Sequence, residues 1–265
     1  SKTTIVVGES INEFTSSNVT YDADGSKSVS KASYDGVDVT QELSIIENSA
    51  TGRDDVVKIK YIVKNDTEYA KQVGIRIMMD TMLGGNDAAP FRVNGSDVTT
   101  ETVYSGSNIP QIWQAFDSAT NPGVVAQGTF YKSGDRKPDK VQFTNWGNVT
   151  STLWDYVTQP GRSNGDSAVS ITWNKDTFTS GETREFVTYY GLSELEQNLI
   201  PPLALSVYAD NKVSISNFNY DDINANVYLD NIGDGDATDV SIKITADNLE
   251  PKYGTSLTHN YSVIK

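Results

Sequence analysis

Apolar and polar residues alternate with a period of two along much of the chain. Val57, Ile59, Tyr61 and Val63 fall on one side, with Lys58 and Lys60 between them. Val73, Ile75, Ile77 and Met79 repeat the pattern around Arg76, Val169, Ile171 and Trp173 around Ser170 and Thr172, and Val240, Ile242 and Ile244 around Ser241 and Lys243. Successive side chains of a strand point to opposite faces, so the pattern predicts strands with one face on a core and the other in water. Turn-forming pairs separate the runs: Asp24-Gly25, Asp35-Gly36, Asn94-Gly95, Asn164-Gly165 and Asp234-Gly235. The polar segment 64–68 lies between two strongly alternating runs, so 56–64 and 72–79 are expected to form an antiparallel pair. Helical character is confined to Ser193–Leu199, which starts at a capping serine and is stopped by Pro201-Pro202.

The two prolines also mark the expected domain boundary. Residues 1–200 read as one large antiparallel β-sandwich. Residues 203–265 hold five strand-like runs, fewer than the seven strands and roughly 100 residues of an immunoglobulin-like (Ig-like) sandwich. The expected fold is therefore all-β, a large β-sandwich followed by a small Ig-like one that is truncated or completed by another chain.

Composition narrows the chemistry. Among 265 residues, 21 basic against 35 acidic side chains leave a net charge of −14, which disfavours nucleic acid as a partner. There is no cysteine, so disulfides and thiol chemistry are excluded. His259 is the sole histidine, so a histidine-rich metal site is excluded and no Ser-His-Asp triad can be assembled in the first domain. No run approaches the roughly 18–20 apolar residues of a membrane-spanning helix. Ser1-Lys2-Thr3-Thr4 leads straight into a strand-like piece, so a leader is expected to have been removed, or the chain to be a fragment.

Several blocks carry a resemblance. They are Val73-Gly74-Ile75-Arg76-Ile77-Met78-Met79-Asp80-Thr81-Met82-Leu83-Gly84, Asn86-Asp87-Ala88-Ala89-Pro90-Phe91-Arg92, Pro138-Asp139-Lys140-Val141-Gln142-Phe143-Thr144-Asn145-Trp146-Gly147, Gly165-Asp166-Ser167-Ala168-Val169 and Thr188-Tyr189-Tyr190-Gly191-Leu192. Together they resemble an uncharacterised β-sandwich module of large secreted or surface-attached bacterial proteins of the clostridial type, over about residues 38–202. The strand layout is similar to the supersandwich of mutarotase-like domains. From Leu203 onward, Asn231 to Val240 is similar to bacterial Ig-like spacer modules. The resemblance implies an extracellular or cell-surface location and neighbouring modules. It supplies no catalytic residue.

Three kinds of chemistry remain to be weighed. Hard cations such as Ca²⁺ need several oxygen ligands gathered by a loop. Asp22 with Asp24, Asp80 with Asn86 and Asp87 beside Gly84-Gly85, and Asp234 and Asp236 with Asp239 are the candidates, although each also reads as an ordinary turn. Sugar binding would use Trp113, Trp146, Trp154 and Tyr156 as a stacking platform, although tryptophan more often packs a core. Glycoside hydrolysis needs two facing carboxylates. Asp80 with Asp87 or Asp139 with Asp155 would serve, but 35 acids make such pairs easy to find, and a non-enzyme is expected. Arg76, Arg92, Arg136 and Arg162 read as surface ion-pairing residues, and Lys132 to Lys140 as a solvated hairpin tip. The expectation is a structural or interaction module that requires no cofactor, with Ca²⁺ as its one candidate ion. It would associate with neighbouring modules or with itself, either through 3–8 as a donated strand or through the open Ig-like edge. The alternative is a polysaccharide-binding module, Ca²⁺-dependent or accessory to a glycan-active enzyme.

Overall fold

The structure, a computed structural model, describes residues 1–16, 18–48, 52–193, 203–209, 215–216, 219–220, 225–231, 237–245 and 257–264. The chain divides into two compact units, 1–194 and 195–265. The described residues are almost entirely β, as the alternation predicts. The expected helix Ser193–Leu199 lies outside them apart from Ser193, the last residue of a strand, and Pro201-Pro202 lies outside them altogether.

The first unit contains β1 (Lys2–Val7), β2 (Ser10–Glu13), β3 (Val19–Tyr21), β4 (Lys27–Tyr34), β5 (Val37–Asn48), β6 (Arg53–Asn65), β7 (Lys71–Asp80), β8 (Phe91–Val93), β9 (Ser96–Val98), β10 (Thr102–Ser105), β11 (Ile112–Phe116), β12 (Val125–Thr129), β13 (Lys140–Asn145), β14 (Ser167–Phe178) and β15 (Thr183–Ser193). A six-stranded sheet runs β10-β13-β14-β7-β1-β2, and a nine-stranded sheet runs β3-β4-β5-β6-β15-β12-β11-β8-β9. Ile5, Ile75, Ile77, Val141, Phe143, Val169, Ile171 and Trp173 of the first sheet share one core with Val39, Tyr61, Val63, Phe91, Trp113, Ala126 and Phe186 of the second. Trp113 is its hub. Its ring stacks on Tyr190 at 5.5 Å and meets Phe91 and Phe143 edge-on at 5.7 and 5.9 Å. Gly128, its cross-strand partner, makes room, because a Cβ there would overlap the indole.

Two expectations need correction. The runs 56–64 and 72–79 are not partners: β6 pairs with β5 and β15, whereas β7 pairs with β1 and β14 in the opposite sheet. The chain crosses the sandwich at Asn65, which is fully buried. Its Nδ2 donates to the carbonyls of Tyr69 (2.7 Å), Phe178 (3.1 Å) and Thr179 (3.1 Å), and its Oδ1 accepts from Thr67 N and Oγ1. Period-two alternation reveals which side of a strand is apolar but not which sheet it joins. The segment 3–8 is likewise no free donor strand. It is β1, paired on both edges, with Ile5, Val6 and Val7 buried.

The second unit contains β16 (Leu203–Ala209), β17 (Ile215–Ser216), β18 (Asn219–Tyr220), β19 (Ala225–Asn231), β20 (Ala237–Lys243) and β21 (Thr258–Ile264). They form antiparallel pairs β16-β19, β17-β18 and β20-β21.

The hub gives a stability prediction. Trp113→Ala is expected to cost about 3–5 kcal/mol, and Gly128→Val about 1–3 kcal/mol or more by forcing the ring aside. Chemical denaturation monitored by fluorescence checks both, and a midpoint within error of the parent for either would contradict this packing.

Candidate functional site

Residues directly opposite in a sheet share a face. Thr4, Arg76, Thr172 and Lys140 are successive cross-strand partners over β1, β7, β14 and β13, and Met78, Ser170 and Gln142 form the next row. This is the face turned away from the core, expected to be wet. Instead the segment 146–164, here called the strap, lies across it. The strap begins with α1 (Trp146–Val149), whose first turn is capped by the Asn145 side chain accepting from Asn148 N. Val149 and Tyr156 of the strap pack on Ala168. Trp154 rests on Gly74, where a Cβ would come within 2.6 Å of the indole.

Two buried charges hold the strap. Arg76 is fully buried, not a surface ion-pairing residue. Its Nε donates to Ser170 Oγ (2.9 Å), Nη1 to the Thr152 carbonyl (2.9 Å) and Nη2 to the Val149 carbonyl (3.2 Å). Desolvation pulls its pKa down to about 10, opposed through space by Asp155 and Tyr156. Glu101 is 4% exposed. It accepts from Tyr156 Oη (2.6 and 2.8 Å), Gln159 N (2.7 Å), Thr144 Oγ1 (2.9 Å) and Asn148 Nδ2 (3.0 Å). Burial pushes its carboxyl up, but these donors together outweigh it and hold the group below its ordinary value of 4.5. Between the strap and the sheet, Thr4 Oγ1, Thr172 Oγ1 and Gln142 Oε1 are buried and have no hydrogen-bond partner among the described residues. Each such atom costs about 1–3 kcal/mol.

The expected aromatic platform does not form. Trp113 is in the core, on the opposite side of the six-stranded sheet from the strap, and is 1% exposed. Trp154 and Tyr156 are buried on the strap at 9% and 8% exposure. Trp146 is half-buried against Val149, Tyr156 and Ala168. Burying these large apolar rings outweighs any pull to the surface, so they fall in two layers and not on one plane.

The carboxylates divide differently. Asp80 at the end of β7, Asp87 on the following loop and Asp166 just before β14 bring oxygen atoms within 4.8 Å of one another. Asp166 has a positive φ of 57°. Desolvation, then the charges of Asp87 and Asp80, push its carboxyl up. A trio of repelling, hard oxygen donors fits a Ca²⁺-type ion, with further oxygens needed to complete the shell. Asn86, on the same loop as Asp87, braces that loop: its Nδ2 donates to the Asp117 carbonyl and its Oδ1 accepts from Ala88 N. Asp166 was missed because it follows the Asn164-Gly165 turn and entered only as part of the Gly165–Val169 block. Its place depends on the pairing of Ala168 with Asp80, which the sequence does not reveal.

Asp22 and Asp24 close their own turn and gather no third acid among the described residues. Asp22 accepts from Lys27 N and Ser26 Oγ, and Asp24 from Ser26 N. Asp239 is exposed with φ 56°, and Asp234 and Asp236 lie outside the described residues. Arg92 pairs with Asp97 and Arg136 with Asp176, as expected at the surface. Lys132 and Lys137 sit over the rings of Tyr189 and Tyr131.

No family model and no curated protein matches the chain. Among solved structures, a galactose mutarotase-like protein from Lactobacillus casei is 9% identical with a TM-score of 0.40, over 66% of this chain and 72% of that one. A galactose mutarotase related enzyme from Lactobacillus acidophilus is 7% identical with a TM-score of 0.38, over 68% and 72%. A polysaccharide lyase is 9% identical with a TM-score of 0.42, over 89% of this chain but 36% of that one. Likeness this loose carries no activity from one protein to another.

The Glu101 hub gives a pH prediction. A carboxyl held below its unfolded value adds stability that is present above that value and is lost as pH falls through the folded one. Glu101→Gln is expected to cost about 2–3 kcal/mol at neutral pH and to flatten the loss of stability below pH 4.5. Urea midpoints across the acid range measure this, and parallel pH profiles for parent and variant would refute it.

Proposed function

We propose that the chain is a non-catalytic structural or interaction module of a bacterial surface or secreted protein. The observation that carries this reading is the inward use of its chemistry-bearing side chains. The tryptophans pack the core or the sheet face, and the buried Glu101 and Arg76 are engaged in holding the strap. An acidic, β-rich body with Trp113, Trp154 and Trp173 buried suits a part that keeps its shape outside the cell, and the resemblance in the Asp80, Asn145 and Asp166 blocks points the same way. In the second unit, Leu205 and Val207 of β16 are 56% and 54% exposed on one face of a two-stranded ribbon. An apolar ribbon face of this kind favours association with a neighbouring module or a second copy. The strand donated by 3–8 plays no part in this reading.

A Ca²⁺ ion at Asp80, Asp87 and Asp166 belongs to the same proposal, as a pin for one end of the six-stranded sheet. Without a cation, raising the pH through the elevated range of Asp166 charges a third acid beside two others, so stability falls with rising pH there. A bound cation reverses this.

Two measurements test the reading. In about 10 mM CaCl₂ the melting temperature is expected to rise by roughly 3–8 °C, as linkage gives for a millimolar or tighter site, and Asp166→Asn is expected to abolish the rise. An unchanged melting temperature in the parent removes the pin. A glycan array and a panel of chromogenic glycosides are expected to show no binding to neutral polysaccharide and no turnover. Hydrolysis by the parent that Asp80→Asn abolishes would replace the module with an enzyme.

A further inference from the structure

The outer face of the six-stranded sheet is mixed, with Val6, Gly74, Met78 and Ala168 lying among polar positions. Seven of its positions under or beside the strap are polar: Thr4, Arg76, Thr172, Lys140, Ser170, Gln142 and Thr144. An antiparallel sheet commonly keeps one face on the core and one polar face toward water, and here the polar positions of the second face are covered. Here Thr4, Thr172 and Gln142, each at most 2% exposed, keep unpartnered oxygens in the layer that also holds the Arg76 guanidinium. The cover is held by hydrogen bonds to that guanidinium, to Glu101 and from Gln142 Nε2 to the Tyr156 carbonyl, with Trp154 packed on Gly74 and Tyr156 on Ala168. Asp155 sits on the strap between its two anchor points. It acts through space on both cations of the row, Arg76 and the half-buried Lys140.

We propose that the strap 146–164 is a movable cover, and that the face beneath it binds a carboxylate-bearing sugar with Arg76 as the charge partner. A guanidinium presents a planar fork that matches a carboxylate. Thr4 and Thr172 offer hydroxyls that donate and accept, and Gln142 Oε1 accepts, which suits the hydroxyl groups of a sugar ring. In the closed state the Thr152 and Val149 carbonyls of the strap occupy the Arg76 fork, and lifting the strap takes them and the nearby Asp155 charge away with it. This goes beyond the module reading, since it names a ligand class and a site. It requires no turnover.

Titration calorimetry with trigalacturonate tests it, with galactotriose and inorganic sulfate as controls. If the strap is closed most of the time, loosening it raises apparent affinity by the inverse of the open fraction. Trp154→Ala and Asp155→Asn are therefore each expected to bind trigalacturonate roughly tenfold or more tightly than the parent. Galactotriose is expected not to bind. Arg76→Gln in either background is expected to weaken binding at least roughly thirtyfold. Thr172→Val keeps the fold if Arg76→Gln does not. It is expected to raise the melting temperature while weakening trigalacturonate binding, a split that a purely structural role would not produce. Amide exchange in 149–159 is expected to outpace that of β7 and β14 and to slow when trigalacturonate is added. The proposal is overturned if the folded Trp154→Ala and Asp155→Asn variants both fail to bind trigalacturonate. It is equally overturned if 149–159 exchange only with global unfolding. Sulfate binding as tightly as trigalacturonate overturns the sugar assignment.

Discussion

The constraint on which the first unit depends is the pleat of the β7-β14 pair. Every second residue of these two strands must face the core, and the residues between them must face the other way. Ile75, Ile77, Val169, Ile171 and Trp173 meet the nine-stranded sheet, so Arg76, Ser170 and Thr172 are turned outward with no freedom to choose. The strap then covers them. Polar groups on the covered side must find partners inside the protein or remain unpaired. The hydrogen-bond network of the strap follows from that condition.

This explains why two opposite charges are buried under one strap without forming an ion pair. A charge taken out of water needs compensation, and several neutral donors or acceptors can provide it. Glu101 receives five hydrogen bonds from Tyr156, Gln159, Thr144 and Asn148, and Arg76 gives three to Ser170, Val149 and Thr152. Most of these partners are strap residues or strap carbonyls. Each charge therefore fixes backbone as well as offsetting its own desolvation. The same packing withdraws Trp154 and Tyr156 from solvent, so an aromatic cluster that is close in sequence never becomes a flat exposed surface.

Much of this was legible in the sequence, and the limits have a common cause. Alternation identified the strands and their apolar faces, and Asp35-Gly36 and Asn94-Gly95 do close hairpins, between β4 and β5 and between β8 and β9, with positive φ at all four residues. Alternation is blind to long-range pairing. It could not show that Asn65 sends the chain to the other sheet, that β1 is an interior strand, or that Ala168 faces Asp80 and so brings Asp166 to Asp87. It also cannot distinguish a polar face in water from a polar face under a strap. That is why Arg76, flanked by isoleucines on a strand that looked half-solvated, was taken for a surface residue. The one clue available was the run from Trp146 to Tyr156, too rich in large rings to belong on a wet loop.

The carboxylate trio and the strap are parts of one structure. Asp80 lies on the outer face two rows beyond Arg76, where β7 leaves the sheet. Asp166 ends the connection from the strap into β14, and its carbonyl accepts from Trp146 N, the first residue of the strap, at 2.7 Å. Asp87 carries the loop that follows β7 and is tied to β14 by its carbonyl accepting from Ser167 N, also at 2.7 Å. Repulsion among the three carboxylates pushes these segments apart, and a cation would draw them together. One of the three, Asp166, stands where the start and the exit of the strap meet. Arg76 and Glu101 hold its middle. With the proposed cation in place, the hinge would be fastened by charge and the middle by hydrogen bonds, so the middle would loosen while the hinge stayed closed.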